Sequence, residues 1–465
     1  MVPTFILCLV IGLTAGCASL TRETYVRPDV STPKTWAGQS TPGQQNAGWP
    51  DQEWWKCFQS AELNHLIDTA QSNNYDLKAA VARVAEARAG ARIAGAGLYP
   101  VLTAGAGAGQ SKSGGTPSVG NFNVGPQVNY EIDIWGKNRF IADSADATLL
   151  STVFAGDSVR ITLTADVAAT YFQLLSLNDR LNVAHKNLAN AQSLMDLINL
   201  QRKVGKVSDL EVERQRTQVA NTEATIPPVL QQIRVTQDAL AVLLGKNPNE
   251  IDLQGGSLRM LPMPALIAGL PSDLLERRPD IRKAETDLIA ASADIGAARA
   301  ALYPQISLSG SGGLASTALS ALFNPSSAFY SLSANLLGTL FDGGKLKGQV
   351  ELSKARKEEL IAIYHQSIVS AFQDVEDSLA GIEQLNEQEE ALRRTVLHAR
   401  EAYRLAEMSY RLGQTDFTTV LLAEETMISA EAAVDPILFG RFTALVNLYR
   451  ALGGGWGDPT KTAQK

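Results

Sequence analysis

Val101-Leu102-Thr103-Ala104-Gly105-Ala106-Gly107-Ala108-Gly109 and, after a Gly/Ser/Pro-rich turn, Phe122-Asn123-Val124-Gly125-Pro126-Gln127-Val128-Asn129-Tyr130-Glu131-Ile132-Asp133-Ile134-Trp135 alternate small or polar residues with apolar ones. Period two sends successive side chains to opposite faces of a strand, so the two arms read as a β-hairpin over about residues 98–135. The arrangement returns at Ile306-Ser307-Leu308-Ser309-Gly310 and, after Asn324-Pro325, from Phe329 to Phe341, giving a second hairpin over about 303–341. Four strands per chain are expected. Four strands cannot close a barrel, and an open edge in lipid leaves backbone groups unsatisfied, so strands that cross a membrane here require several copies of the chain. Two copies give eight strands and three give twelve, and only a barrel wider than eight leaves a water-filled lumen.

The hairpins recur because the chain is written twice. Tyr99-Pro100 returns as Tyr303-Pro304 and Asp76-Leu77-Lys78-Ala79-Ala80 as Asp280-Ile281-Arg282-Lys283-Ala284, both at an offset of 204. Beyond the first hairpin the offset is 208: Gly136-Lys137 meets Gly344-Lys345, Asp166-Val167 meets Asp374-Val375, Gly205 meets Gly413, Val212 meets Val420 and Leu244-Gly245 meets Leu452-Gly453. The four-residue change falls between residues 100 and 136 and marks a loop, whereas the constant register elsewhere marks long elements that tolerate no insertion. The repeats are assigned to 61–254 and 265–456, related by a pseudo-two-fold.

Leu63, Leu66, Ile67, Ala70, Leu77, Val81 and Val84 follow helical spacing, so a helix is expected from Leu63 to about Ala96, ended by Tyr99-Pro100. Residues 127–226 and 326–435 contain no proline; glycine is absent from 157–204 and occurs once, at Gly381, between 349 and 412. These runs predict helices over about 140–203 and 345–411, the first on the order of 95 Å long at 1.5 Å per residue. Helices of that length belong to coiled coils or tunnel walls, and Gly205 and Gly413 supply the signal that ends them. A returning helix follows in each copy, where Pro228 and Pro436 predict a kink or break at the same height. The fold class is α+β, mostly α.

The amino end, Met1-Val2-Pro3-Thr4-Phe5-Ile6-Leu7-Cys8-Leu9-Val10-Ile11-Gly12-Leu13-Thr14-Ala15-Gly16-Cys17, is too short an apolar run to span a bilayer and closes in small residues, the shape of a signal peptide over 1–16. Leu13-Thr14-Ala15-Gly16-Cys17 resembles a bacterial lipobox, which implies a covalent lipid on Cys17; an uncleaved anchor or a chance apolar start is the other reading. Several acyl chains would hold the protein firmly at a membrane. Ala18, rather than an aspartate, follows the cysteine and favours the outer membrane. Residues 17–60, with Pro28, Pro33, Pro42 and Pro50, read as a tether ending in Trp49, Trp54, Trp55 and Phe58, and residues 457–465 as a tail. With Cys8 removed and Cys17 acylated, Cys57 has no partner and no disulfide framework is expected.

The net charge is −7 and the 41 basic residues are scattered, which leaves no electrostatic footprint for nucleic acid. His65, His185, His365 and His398 lie apart without ligand spacing, so neither a metal site nor a catalytic constellation is expected. Gly338 to Leu346 brushes the phosphate-loop pattern, but its glycine spacing is wrong and Gly136-Lys137 occupies the equivalent strand-to-helix junction, so the glycines read as structural.

Leu270-Pro271-Ser272-Asp273-Leu274-Leu275-Glu276-Arg277-Arg278-Pro279-Asp280-Ile281 and Ala293-Asp294-Ile295-Gly296-Ala297-Ala298-Arg299-Ala300-Ala301-Leu302-Tyr303-Pro304 resemble the signature of outer-membrane efflux proteins, the TolC-like factors, in the lipoprotein branch serving resistance-nodulation-division drug pumps. Tyr130 to Lys137, Leu340 to Lys345 and Tyr410-Arg411-Leu412-Gly413 are similar to further motifs of that family. The resemblance implies a homotrimer, a twelve-stranded barrel in outer-membrane lipid and a periplasmic α-barrel of long coiled-coil helices. Their tips would meet a periplasmic adaptor protein and an inner-membrane resistance-nodulation-division transporter. The function implied is a passive exit duct for small molecules such as drugs, with no enzymatic activity. A duct for type I protein secretion is the alternative, and a structural periplasmic coiled coil is a third reading that the hairpins disfavour.

Two groups at the tips are singled out. In the family, acids after the tip glycine narrow the tunnel entrance; here Leu422 stands where an aspartate is common, leaving Asp416 in the second copy with Asp209 and Glu211 in the first as aperture candidates. Converging carboxylates would make a cation-attracting ring, while the plain reading is that they are solvated acids at helix starts. Gly205, Lys206, Gly413 and Gln414 are candidates for adaptor contact, or simply short turns. Tyr99, Phe122, Tyr130, Trp135, Tyr303, Phe329, Tyr330 and Phe341 lie where barrels place interfacial girdles, with ordinary packing as the competitor.

Overall fold

A computed structural model describes residues 21, 23–33, 35–37, 49–115, 117–251, 253, 255–264, 271–454 and 456. Cys17 and the rest of the signal segment, and residues 457–465, lie outside the described residues. Among the described residues, the chain forms helices α1 (Ala61–Asn73), α2 (Tyr75–Ala96), α3 (Lys137–Lys203), α4 (Asp209–Ala224), α5 (Ile226–Leu243), α6 (Pro279–Ala300), α7 (Lys345–Arg411) and α8 (Phe417–Ala451). Strands β1 (Val101–Ser111), β2 (Val119–Ile132), β3 (Gln305–Ser316) and β4 (Ala328–Leu337) complete the fold. Helices α3 and α7 are 67 residues each, without an internal proline.

The chain divides into two compact units. The first comprises Met1–Val30, Ala82–Phe154 and Arg282–Gln366, and the second Ser31–Val81, Ala155–Ile281 and Ser367–Lys465.

The first unit carries one antiparallel sheet in the order β1-β2-β3-β4. Pro126 sits in central strand β2, a place where a proline normally removes a ladder bond. The ladder to β3 lapses there, running from Val124↔Leu314 to Gln127↔Ser311, so the missing donor falls where none is required. The lapse brings Gly125 and Gly313 so close that a methyl group on either would strike a carbonyl of the facing strand. At the strand-to-helix junction Asp133 accepts from Asn138 and Arg139 N–H at 3.0 and 2.9 Å, and Asp342 accepts from Gly344 and Leu346 N–H at 2.9 and 2.8 Å. These acids satisfy donors that a helix start otherwise leaves free. The glycines beside Lys137 and Lys345 thus serve helix starts.

Within this unit the amino-terminal segment lies along α6 and α7. Buried Thr21 donates to the Trp135 carbonyl at 2.8 Å. Glu23 pairs with Arg299 and Lys357 at 2.7 and 3.0 Å, and Arg27 with Glu285 at 3.2 Å. The two cations hold the Glu23 carboxyl below its ordinary range, although partial burial opposes them.

The second unit holds the main apolar core. Trp54, Phe58, Leu63 and Ile67 pack with Phe172, Leu175, Phe442 and Tyr449, and Trp54 stacks on Tyr449 with ring centroids 4.6 Å apart. In the Arg277-Arg278-Pro279-Asp280 segment, Arg278 reaches Asp280 at 2.6 Å, Asp374 of α7 at 2.9 Å and the Ala451 carbonyl of α8 at 3.3 Å.

Two expectations need correction. The helix expected over 63–96 breaks at Asn74, whose side chain caps α2 by accepting from Leu77 N–H at 2.9 Å and donates to the Leu243 carbonyl at 2.9 Å. Asn and Asp compete with helix continuation by exactly such local bonds only at ends and turns, and Asn73-Asn74 offered that signal. The paired prolines do not break both copies. Pro227-Pro228 open α5 after a tight turn in which Thr225 N–H bonds Thr222 at 3.2 Å, whereas α8 continues through the single Pro436. Two successive missing donors stop a helix; one is carried by the packing of a 35-residue element.

Candidate pore face and helix tips

Cross-strand registers sort the side chains of the sheet. Thr103, Gln127, Ser311 and Ser331 form one row, Val101, Asn129, Ser309 and Ser333 a second, and Glu131, Ser307 and Asn335 a third, all on one face that is mostly polar. The other face carries the rows Leu102–Val128–Gly310–Leu332, Tyr130–Leu308–Ala334 and Val124–Leu314–Ala328. Strands of 10 to 14 residues reach or exceed the roughly 9–11 that a tilted strand needs to cross a hydrocarbon core. In lipid the apolar face meets hydrocarbon and the polar face lines water. Among the described residues, both edges, β1 and β4, are unpaired. Of the candidate girdle residues, Trp135 and Tyr303 stack at 4.6 Å and Trp135 Nε1–H donates to the Pro304 carbonyl at 2.7 Å, while Tyr99, Tyr330 and Phe341 are exposed.

In the second unit the tips are built twice on one plan. Gly205 and Gly413 take positive φ, 71° and 73°, which glycine adopts without a Cβ penalty. Lys206 N–H reaches the Gln201 carbonyl at 3.0 Å and Gly205 N–H that of Arg202 at 2.9 Å; Gln414 N–H and Gly413 N–H repeat the pattern to Ser409 and Tyr410 at 2.8 and 2.9 Å. This is the Schellman arrangement that closes a helix end. Leu194, Ile198, Val212, Tyr410, Phe417 and Val420 form the apolar cluster beneath.

The aperture candidates serve as helix starts. Ser208 and Glu211 form a reciprocal capping box, with Ser208 N–H donating to Glu211 at 2.7 Å. Asp416 caps α8, accepting from Thr419 N–H at 2.8 Å and Thr419 Oγ1 at 2.9 Å, and these bonds hold its carboxyl below the usual range. Asp209 pairs with Arg202 at 2.7 Å with both side chains exposed. Burial, with Glu211 nearby, pushes the Tyr410 hydroxyl up to about 12. Gly205, Lys206, Gly413 and Gln414 are exposed. Sequence reading passed over Glu424, a buried acid beneath this tip whose carboxyl burial pushes up to about 7. The signal was present, since apolar spacing through Phe417, Val420 and Met427 places residue 424 in the core stripe.

A sheet with one wet face, one apolar face and two bare edges, joined to 67-residue helices, defines a channel subunit of TolC-like type. The family model described as "Outer membrane efflux protein" matches residues 66–246 and 270–454, and the chain belongs to that family. It is 36% identical over 439 residues to "Pyoverdine export outer membrane protein OpmQ" of Pseudomonas putida, covering 92% of this chain and 93% of that protein. To "Outer membrane protein OprJ" of Pseudomonas aeruginosa it is 34% identical, covering 97% and 95%. The solved outer-membrane channel OprN aligns with a TM-score of 0.88 at 29% identity, covering 94% of this chain and 99% of that one. The protein is accordingly an outer-membrane efflux channel of a tripartite pump, in a family of trimeric transport proteins that work with adaptors and inner-membrane transporters.

Proposed function

We propose that three copies of this chain pair β4 of one with β1 of the next to close a twelve-stranded barrel, and that the resulting duct passively releases small molecules delivered by a periplasmic adaptor and an inner-membrane resistance-nodulation-division transporter. The observation that carries this reading is the two-faced sheet with both edges unpaired, because such edges are not tolerated in hydrocarbon until each finds a partner. Chemistry is not required of the chain; energy comes from the inner-membrane partner. The exposed turns at Gly205-Lys206 and Gly413-Gln414 are the proposed adaptor contacts.

Cys17 is proposed as the lipid-bearing residue. Thr21, fixed to the strand base through the Trp135 carbonyl, follows it by four residues, a reach of at most about 14 Å. An acyl group there would enter the periplasmic leaflet beside the barrel. Loss of radiolabelled palmitate on Cys17→Ser tests this.

Asp209, Glu211 and Asp416 are proposed to ring the periplasmic aperture. Asp416→Asn removes the charge and keeps a good N-cap, so it separates electrostatics from helix structure. Cation selectivity should fall in bilayer recordings with no loss of trimer; unaltered selectivity in both Asp416→Asn and Glu211→Gln would sink the ring. For the duct itself, deleting the gene should raise intracellular retention of a fluorescent dye, and the wild-type copy should restore efflux where Leu332→Arg on the apolar face does not.

A further inference from the structure

Helix α8 buries a stripe at three-and-four spacing: Phe417, Val420, Glu424, Met427, Glu431, Val434 and Leu438. Three other buried acids of this unit are met by arginine, and Asp179 accepts from Leu258 N–H at 2.8 Å. Glu431 pairs with Arg400 at 2.5 Å, Asp435 with Arg259 at 2.6 Å, and Glu389 of α7 with Arg393 and Arg441. Glu424 has 0% exposure, and neither of its carboxyl oxygens receives a hydrogen bond. With no accessible surface, it cannot be reached by a cation from a neighbouring copy.

Its surroundings are neutral or acidic. Tyr403 and Glu407 face it from α7, Glu407 being held by Arg411 at 2.5 Å, and Glu425 lies beside it on α8. From α4 comes Gln215, also fully buried, which gives one amide N–H to the Ala191 carbonyl of α3 at 2.9 Å and whose amide, set against Glu424, favours the charged carboxyl. That leaves Gln215 Oε1 an acceptor with no donor. A protonated Glu424 supplies one. A charged Glu424 supplies none, and the Gln215 amide beside it offsets only part of the cost of burying a carboxylate with no cation at hand.

We propose that Glu424 is a proton latch beneath the tip: protonated, it donates to Gln215 and lets α4 and α8 pack against α3 and α7; on releasing its proton to water it loosens that packing and frees the turns around Gly205 and Gly413. Burial, reinforced by Glu425 and Glu407 and opposed by the Gln215 amide, places the exchange at about pH 7. As pH rises, the latch opens. The inference rests on the duct reading only for its consequence at the aperture, and its test reads packing directly, so a failed efflux assay leaves it standing.

The test is amide hydrogen exchange of the full-length trimer in lipid nanodiscs from pH 5.5 to 8.5, corrected for chemical exchange. With a carboxyl that titrates near 7 when packed and near its ordinary value when open, exchange across residues 417–427 should rise about tenfold between pH 6 and 8 in wild type. Glu424→Gln keeps a donor for Gln215 without a charge and should show no such rise. Glu424→Met, neutral and apolar, is the second variant should the first fail to assemble, and is also expected to be flat. Glu407→Gln removes a negative charge beside Glu424 and should move the midpoint of the rise to lower pH. A rise of equal size in wild type and in the neutral variants, or a flat wild-type profile, overturns the proposal.

Discussion

Replacing Arg278 with alanine should destabilise the second unit more than any single surface substitution. The guanidinium is 12% exposed and makes a forked contact with Asp280, at 2.6 and 3.0 Å, a bond to Asp374 at 2.9 Å and one to the Ala451 carbonyl at 3.3 Å. Removing one partner of a buried pair costs about 3–5 kcal/mol. Asp280 and Asp374 are 41% and 54% exposed, and a cavity of about 190 Å³ bordered by Ser158, Thr162 and Arg450 adjoins them. Water can therefore hydrate the abandoned carboxylates, which brings the expected loss down to about 2–3 kcal/mol. With unfolding entropy near 2.1 cal/mol/K per residue over roughly 400 ordered residues, that is a fall in Tm of about 3 °C. Circular dichroism of the solubilised trimer reads it. Arg278→Lys should recover less than half, because an ammonium cannot make the fork. An Arg278→Ala protein melting within about 0.5 °C of wild type would refute the reasoning, since its premise is a loss of about 2–3 kcal/mol.

Other outcomes follow from the same geometry. Gly205→Ala and Gly413→Ala meet no neighbouring atoms, so each should cost only the left-handed backbone penalty, about 1–2 kcal/mol, seen as faster exchange confined to the tips. Leu332→Arg, at a position 82% exposed on the apolar face, should cost about 2–4 kcal/mol and reduce membrane assembly, while Ser333→Arg on the polar face should leave assembly intact and alter single-channel conductance. Glu424 binds its proton more tightly folded than unfolded, so its contribution is fully favourable below about pH 4.5 and is lost as pH rises through about 7. At pH 8 Glu424→Gln should therefore be more stable than wild type, by on the order of 3 kcal/mol from the 1.36 kcal/mol per pKa unit, and the two should converge near pH 4.5 in thermal melts.

The parts of the fold that were legible are those in which one local rule acts over many residues. Period-two alternation through Phe122 to Ile132 and the proline-free runs behind Lys137 and Lys345 specify strands and long helices without tertiary help. Gly205 and Gly413 announced the tips because a positive φ leaves little choice of residue. Legibility failed where a single side chain decides. Asn74 ends α1 because its amide finds the Leu243 carbonyl, a partner 169 residues away. Pro436 passes through α8 while Pro227-Pro228 open α5, a difference made by one extra proline and by packing. At the tips, Asp416 and Glu211 stand out by their charge, yet their bonds are those of helix starts; Glu424, without a charge partner, lies in a stripe that is apolar apart from it and Glu431.

The two bare edges of the sheet carry a consequence for cells that make two versions of this chain. A barrel closed by three subunits has three seams, and each seam needs both of its edges sound. One chain with a damaged β1 or β4 spoils the ring it enters, however good its companions. With equal amounts of intact and edge-damaged chains mixing freely, only about one ring in eight would contain three intact copies. A lesion in a ten-residue strand would thus behave as a dominant poison, whereas a defect confined to one tip would merely dilute function.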